Sequence, residues 1–225
     1  MKRDLVGEIF ARRSRSLKRG SRFAKAQRRL DSIIAALDHL ERQRHSLDRQ
    51  ELLRYIPIAL IACIEGYFRL TIQELIDTGS PYCERIAELS DAAFSKEHMV
   101  AIHLRKVSLG EIVSHTVRIS RFTDLTKTMS SLLGCDFLAA LKKTGFSASE
   151  TGPIVTFDRF APKALASLKD IYTLRHIYCH ELVAPTHVPL RKFRYAIPWT
   201  WMLLAGTEQV IEDAKSTQKR PNQIK

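Results

Sequence analysis

Residues 51–77 read ELLRYIPIALIACIEGYFRLTIQELID, and this stretch decides the fold expected for the chain. From Leu60 to Ile64 the apolar side chains occupy nearly every side of a helical wheel. A helix that is apolar all round is packed by several neighbours. The stretch therefore predicts a central helix, which Pro57 either kinks or starts, because only the first helical turn accommodates proline without losing a hydrogen bond.

Helical patterns also flank this central segment. Apolar residues recur about every 3.6 positions over residues 22–45 and 164–182. The sequence Ser108-Leu109-Gly110-Glu111 has the form of a capping box, which starts a helix. Further elements are expected as follows: a short basic helix near residues 5–15, a helix within 90–106, a helix from Ser108 with Val117 and Ile119 on its apolar face, a helix through Leu132 and Leu141 that ends near Gly145, a loop at 147–162, and a last helix from Pro198 to about Ala214. The chain is thus predicted to be all-α.

Composition supports a helical globular protein. The 225 residues are 45% hydrophobic and include nine Gly and eight Pro, which argues against disorder and against turn-rich β architectures. The four cysteines are widely spaced, as expected for free thiols in a reducing compartment. The longest uncharged apolar runs have ten residues, whereas a membrane span needs about 20. Because the N-terminus also lacks a secretory signal pattern, we expect a cytoplasmic protein with no membrane partner.

Positive charge is concentrated at the start of the chain. Residues 1–30 contain eleven Lys and Arg against two acidic residues, a net +9, while residues 31–225 contain 25 against 22, a net +3. A basic arm favours binding to a polyanion such as RNA, although a merely solubilising arm has the same composition. We therefore divide the chain into a basic helical arm at residues 1–45, a helical bundle at 46–215 and a disordered tail at 216–225. The cations assigned to RNA binding are Arg12, Arg13, Arg15, Lys18, Arg19 and Arg22.

The helix predicted at residues 164–182 carries the candidate chemistry. On a helical wheel His176 and His180 point away from the apolar side, and Arg175 lies at its edge. Cys179, next to His180, is interpreted as a small packing residue. The arc that faces the core comprises Ile171, Leu174, Tyr178 and Leu182.

An outward-facing Arg and two His on a rigid helix suit the cleavage of phosphodiesters. A neutral imidazole can take the proton of a ribose 2′-hydroxyl, and a guanidinium can bind the scissile phosphate with two hydrogen bonds. The guanidinium also stabilises the charge that develops in the transition state. This chemistry needs no metal and no other cofactor. An Arg and two His at the same spacing also occur on helix surfaces that have no function, and spacing alone does not separate the two cases.

A resemblance to a known family favours the functional interpretation. The sequence Leu174-Arg175-His176-Ile177-Tyr178-Cys179-His180-Glu181 resembles the motif of HEPN domains, in which an Arg precedes a His by a short spacer that starts with a polar residue. The sequence Ala62-Cys63-Ile64-Glu65-Gly66-Tyr67-Phe68-Arg69 resembles the first core helix of these domains. A looser similarity covers residues 108–141. The similar segments extend over about residues 60–220.

The resemblance implies a HEPN-like helical bundle that forms a homodimer and cleaves RNA without a metal. Two Arg–His motifs would face each other across a composite cleft, and the products would carry a 2′,3′-cyclic phosphate and a 5′-hydroxyl. Carried over to this chain, Arg175 binds the phosphate, His180 is the general acid and base, and His176 orients or assists. Such an endoribonuclease is expected to be a toxin or an antiviral defence effector, restrained by an antitoxin or regulatory protein. Some members carry a Tyr two residues after the His, where this chain has Leu182.

Glu65 and Tyr178 are the candidate supporting residues. A carboxylate among apolar neighbours needs a partner, because an unpaired charge is costly to bury. Either Arg175 or His180 would be a functional partner for Glu65, whereas a structural ion pair or an exposed helix face would explain it without any function.

Two other interpretations remain open from the sequence. The chain could be a non-catalytic helical module that dimerises and binds RNA or protein. Alternatively, His176 and His180 stand one helical turn apart, as metal ligands do, with His187 as a third ligand. Because the H-E-x-x-H pattern and paired thiolates are absent, we expect no metal site.

Overall fold

The computed structural model describes residues 4–15, 21–89, 94–147, 153–180 and 190–219, with only the backbone described at 12–15 and 218–219. Helices make up most of these residues, which confirms the predicted all-α class. The described α-helices are α1 (Leu5–Arg15), α2 (Arg22–Arg42), α3 (Leu47–Thr78), α4 (Lys96–His103), α5 (Leu109–Thr116), α6 (Phe122–Leu133), α7 (Phe137–Lys142), α8 (Ala161–His180) and α9 (Leu190–Lys219). Short 3-10 helices span Glu84–Glu88 and Phe157–Arg159. Strands β1 (Gly145–Phe146) and β2 (Val155–Thr156) form an antiparallel pair within or next to the predicted loop.

Helix α3 is the predicted central helix. Leu60, Ile64 and Phe68 are fully buried along it, as expected for a helix that is apolar all round. The expectation that Pro57 starts the helix is wrong, because ten helical residues precede it. Burial of the neighbouring Ile56 and Leu60 shows that packing of the helix outweighs the one backbone hydrogen bond that proline removes.

Helix α3 is also long and apolar enough to cross a membrane. Its most apolar 18-residue window has a mean hydropathy of 1.4. The length of the uncharged runs, at most ten residues, did not reveal this window. More than half of that window, 56%, is buried inside the protein. This burial is consistent with the core helix of a soluble protein.

The chain divides into two compact units. The first unit comprises residues 1–22 and 67–135, and the second comprises residues 23–66 and 136–225. Helix α3 therefore contributes its first part to the second unit and its last part to the first unit. The boundary predicted at residue 45 divides the chain by charge rather than by packing, and it stays a prediction.

In the first unit, α1 packs against the region of α4 and α5. Leu5 and Ile9 share a small core with Ala101, Val107 and Ile112. The predicted capping box at the start of α5 is confirmed. The Ser108 hydroxyl accepts a hydrogen bond from the Glu111 N–H at 3.0 Å, and the Ser108 N–H donates to the Glu111 carboxylate at 2.8 Å. Val117 and Ile119 are buried as expected, but they lie beyond the end of α5 at Thr116 rather than on its face.

The helix predicted to run through Leu132 and Leu141 is in fact two helices. Gly134 ends α6 in the left-handed conformation, with a φ of 67°, which glycine adopts without strain. Asp136 then caps α7, since its carboxylate accepts a hydrogen bond from the Ala139 N–H at 3.0 Å. The sequence Gly134-Cys135-Asp136 carried both signals.

Helix α9 of the second unit is longer than predicted at both ends. It begins at Leu190 and contains Pro198, which was expected to start it. Phe193, Ala196 and Ile197 are buried ahead of the proline, and packing of this apolar face holds the helix together there. At the other end the helix continues to Lys219, so residues 216–219 are helical rather than a disordered tail. Residues 220–225 lie outside the described residues.

Candidate active site

Helix α8 holds the candidate catalytic residues on its last two turns. Ala164, Leu168 and Ile171 are buried at helical spacing and fix the helix in the second unit. An exposed ion pair at 3.0 Å between Asp170 of α8 and Lys192 of α9 also joins these two helices. The turns that carry the Arg–His motif therefore extend from a firmly packed base.

The Arg175, His176 and His180 side chains lie where the helical wheel placed them. His176 and His180 are exposed, and their ring centroids are 4.8 Å apart with an interplanar angle of 51°. Arg175 is half-buried. The two imidazoles are close enough to act on one substrate, while the catalytic roles assigned to all three residues stay predictions.

Cys179 departs from its interpretation as a packing residue, since its side chain is exposed between the two histidines in sequence. An exposed thiol makes few apolar contacts. Cys179 therefore belongs to the same outward surface as His176 and His180.

Glu65 and Arg175 act on the same buried side chain, Tyr172 of α8. Burial raises the pKa of the Tyr172 hydroxyl, the negative charge of Glu65 raises it further, and the positive charge of Arg175 lowers it. The Glu65 Oε1 atom and the Tyr172 hydroxyl oxygen are both buried. Glu65 and Arg175 therefore both act on the Tyr172 hydroxyl, and the pairing of Glu65 with Arg175 stays a prediction.

Tyr178, the second supporting candidate, is half-buried on α8. Burial raises the pKa of its hydroxyl, and the positive charge of Arg54 on α3 lowers it. Arg54 itself pairs with Glu51 at 2.5 Å. Arg54 of α3 is therefore an electrostatic neighbour of Tyr178 that the sequence did not indicate.

The basic arm is described only in part. Arg12, Arg13 and Arg15 lie in α1, where only the backbone is described, and Lys18 and Arg19 lie outside the described residues. The Arg22 side chain, which is 8% exposed, forms an ion pair with Glu74 and lies 6.0 Å from the ring centroid of Tyr67. Arg22 is therefore not an exposed cation, as RNA binding would require. Its charge is also paired with Glu74 inside the first unit.

Among the described ranges, no three His, Cys, Asp or Glu side chains come together as metal ligands would. His187, the third ligand in the metal interpretation, and Glu181 and Leu182 lie outside those ranges. The two histidines of α8 are thus described without a further ligand from the residues around them.

Two concave surfaces were missed at the sequence level. In the first unit a polar cavity of about 440 Å³ is lined by both charge signs, including Arg118, Arg121 and Asp124. In the second unit a groove of about 790 Å³ separates α2 from the first part of α3. Lys25, Arg28 and Arg29 lie at helical spacing along α2 and line this groove. Their spacing was the sequence signal for it, which the net charge of residues 1–30 does not reveal.

No family model, curated protein or solved structure matches this chain. The resemblance of the α8 motif to HEPN domains therefore stays an expectation.

Proposed function

We propose that this protein is a metal-independent endoribonuclease of the HEPN type, acting in the cytoplasm as a toxin or antiviral defence effector. The observation that supports the proposal best is the surface formed by Arg175, His176 and His180 on the last turns of α8. Two exposed imidazoles stand beside a guanidinium on an otherwise anchored helix. Groups held on a rigid element need little reorganisation to react, which is what catalysis demands.

In the proposed reaction, His180 takes the proton of a ribose 2′-hydroxyl. The 2′-oxygen attacks the adjacent phosphorus, and the bond from phosphorus to the 5′-oxygen breaks. A protonated imidazole supplies the proton to the departing 5′-oxygen, leaving a 2′,3′-cyclic phosphate and a 5′-hydroxyl. Arg175 binds the non-bridging oxygens and stabilises their added charge.

The half-buried position of Arg175 suits this role. A guanidinium that is partly withdrawn from water interacts more strongly with a phosphate than a fully exposed one does. The negative charge of Glu65, which acts on Tyr172 as the charge of Arg175 does, would help to hold the guanidinium in place. We therefore assign Glu65 and Tyr178 as positioning residues and His176 as the group that assists or orients His180.

One chain supplies one Arg–His motif. We propose that a second copy supplies the other, so that the catalytic cleft is composite and the active form is a homodimer. The net charge of +9 in residues 1–30 would collect RNA by phosphate contacts and counterion release. An antitoxin or regulatory partner would restrain the enzyme in the cell.

The test is cleavage of a labelled RNA by purified protein in the presence of EDTA. We expect Arg175→Ala and His180→Ala each to lower the cleavage rate by about 100-fold or more, as the loss of a transition-state cation or a general base does. The matched controls are Arg42→Ala and His103→Ala, which remove an exposed Arg and an exposed His from α2 and α4. Both should leave the rate unchanged.

Three results would contradict the proposal. Full activity in both α8 variants would refute the assignment of the active site to Arg175 and His180. Loss of activity with EDTA would indicate metal chemistry. Salt-sensitive RNA binding with no products under any condition would favour the non-catalytic module instead.

A further inference from the structure

The groove between α2 and α3 has the geometry of a missing third helix. Its α2 wall carries residues at the spacing of one helical stripe, from Lys25 to Leu40, and so extends over about 22 Å at 1.5 Å per residue. Its α3 wall carries Leu52, Tyr55, Ile56 and Ala59, again at the spacing of one stripe. A groove that is lined by one side-chain stripe from each of two packed helices can bind a third helix.

The middle and one end of this groove are apolar. Ile33 and Ile56 are buried at its floor, while Leu52 and Tyr55 remain 50% and 58% exposed at its edge. Large apolar side chains exposed together in a concave surface are typical of an interaction site. The small side chain of Ala36 lets an occupant approach the α2 backbone closely.

The other end of the groove is basic. Lys25, Arg28 and Arg29 line it, His39 lies further along α2, and none of the described residues that line the groove is acidic. The α2 and α3 chains run in opposite directions here, since Cys63 of α3 contacts Ala26 near the start of α2 and Arg49 of α3 contacts Leu40 near its end. The cations therefore lie at the end away from Leu52 and Tyr55.

We infer that this groove binds an acidic amphipathic helix of a partner protein. Apolar residues at i, i+3, i+4 and i+7 of the partner fit the stripe of Leu52, Tyr55 and Ile56, and its Glu or Asp residues meet Arg28 and Arg29. The inference is independent of the proposed nuclease activity, since none of the groove residues belongs to the α8 motif.

Neither RNA nor this chain's own remaining segments match the groove as well. RNA phosphates would be matched by the basic end but would leave the aliphatic floor uncovered. The segments outside the described residues carry at most one acidic residue each, as in Ser90-Asp91-Ala92-Ala93. None of them supplies the cluster of carboxylates that the three cations require.

The probe for the test is a labelled 16-residue helical peptide with Leu along one face and Glu on the flanks. The matched control is the same peptide with Lys in place of every Glu. Fluorescence anisotropy should show that the Glu peptide binds at least about tenfold more tightly than the Lys peptide, because charge complementarity sets the choice of partner. Equal binding of the two peptides, or binding of neither, would overturn the inference.

Two pairs of variants locate the binding. Ala36→Trp fills the groove, whereas Ala35→Trp places the same bulk on the adjacent exposed position outside it. Arg28→Glu reverses a groove cation, whereas Arg42→Glu makes the same change on α2 beyond it. Ala36→Trp and Arg28→Glu should each weaken Glu-peptide binding by about tenfold or more, and the two controls by less than about twofold.

Circular dichroism melting establishes whether each variant is folded. If Ala36→Trp is not folded, the comparison of Arg28→Glu with Arg42→Glu tests the inference by itself. A labelled 20-nucleotide single-stranded RNA that loses affinity with Ala36→Trp but not with Ala35→Trp would make the groove an RNA site and overturn the inference. Sedimentation provides the last comparison. If Ala36→Trp, but not Ala35→Trp, converts a dimer to monomers, the occupant is a second copy of the chain and the inference fails.

Discussion

At the scale of the residue, the cysteines illustrate how burial changes chemistry. Cys63 of α3 is buried and donates a hydrogen bond to the Ala26 carbonyl at 3.5 Å, whereas Cys135 and Cys179 are exposed. Burial raises the pKa of the Cys63 thiol from 9.0 to about 11, and the charge of Arg29 lowers it in part. Because only the thiolate is a good nucleophile, the burial of Cys63 favours a structural role over a nucleophilic one.

This shift predicts an alkaline loss of stability. In the unfolded chain Cys63 ionises near pH 9, while in the folded protein it stays protonated until about pH 11. The contribution is therefore fully present below pH 9 and is lost as the pH rises toward 11. We expect Cys63→Ala to reduce the fall in unfolding free energy between these pH values by about 2 kcal/mol, measured by urea denaturation.

The control for this measurement is Cys135→Ala, which removes an exposed thiol and should leave the pH dependence as in the wild type. The difference between variants isolates Cys63 from Tyr172 and Tyr178, whose raised pKa values act in the same direction. Identical pH profiles for Cys63→Ala and the wild type would contradict the assignment.

At the scale of the element, two helical glycines with opposite surroundings show what local sequence does not specify. Gly66 lies inside α3, and apart from its chain neighbours and the backbone of its own helix, a Cβ added there would meet no atom within 4 Å. Gly110 lies in the first turn of α5, where an added Cβ would overlap the Gln73 carbonyl oxygen and the Asp77 carboxylate. Its N–H donates to that carboxylate at 3.0 Å, so α5 meets α3 at this point with no room for a side chain.

Alanine substitutions should therefore have opposite effects at these two positions. Gly66→Ala should raise the unfolding free energy by about 0.5–1 kcal/mol, because alanine loses less backbone entropy in a helix. Gly110→Ala should lower it by about 1–3 kcal/mol through overpacking. Thermal or urea denaturation of the two variants provides the measurement, and a change of the same sign in both would refute the close approach of α5 to α3.

At the scale of the whole molecule, the proposed composite site makes activity depend on pairing of chains. An excess of the inactive Arg175→Ala/His180→Ala chain should bind wild-type chains in inactive dimers. With a tenfold excess and random exchange of subunits, the cleavage rate per wild-type chain should fall to about a tenth, since each cleft needs both motifs. RNA is kept in excess over total protein, so that competition for substrate does not contribute.

Sedimentation at the assay concentration must show a dimer for this experiment to be valid. An unchanged rate in the mixture would mean that each chain carries a complete site. A monomer that cleaves RNA would likewise refute the composite cleft, while leaving the assignment of Arg175 and His180 to be judged by their own variants.

Several predictions that depended on neighbouring residues were confirmed, although the local signals that end α6 at Gly134 and start α7 after Asp136 were missed. Apolar periodicity located α3 and α8, Ser108 and Glu111 marked the start of α5, and the helical wheel placed His176 and His180 outward. Each of these signals comes from contacts within one or two helical turns, which the order of residues specifies directly.

Predictions that depended on distant packing failed or could not be made. Local chemistry disfavours proline inside a helix and so predicts a helix start at Pro198. Instead, α9 continues through Pro198, where Phe193 and Ile197 are buried ahead of it. Neutralisation of Arg22 by Glu74 joins residues 52 positions apart, which no local pattern indicates.

The sequence by itself determined that this protein is helical, that its central helix is α3, and that His176 and His180 face outward with Arg175 at the edge of the apolar side. Tertiary structure alone decided the electrostatic surroundings of Arg175, the burial of Arg22, and the groove between α2 and α3. The reason is physical: helix formation and side-chain direction follow from nearest neighbours along the chain. Burial, charge pairing and concave surfaces arise only when segments far apart in sequence are packed together.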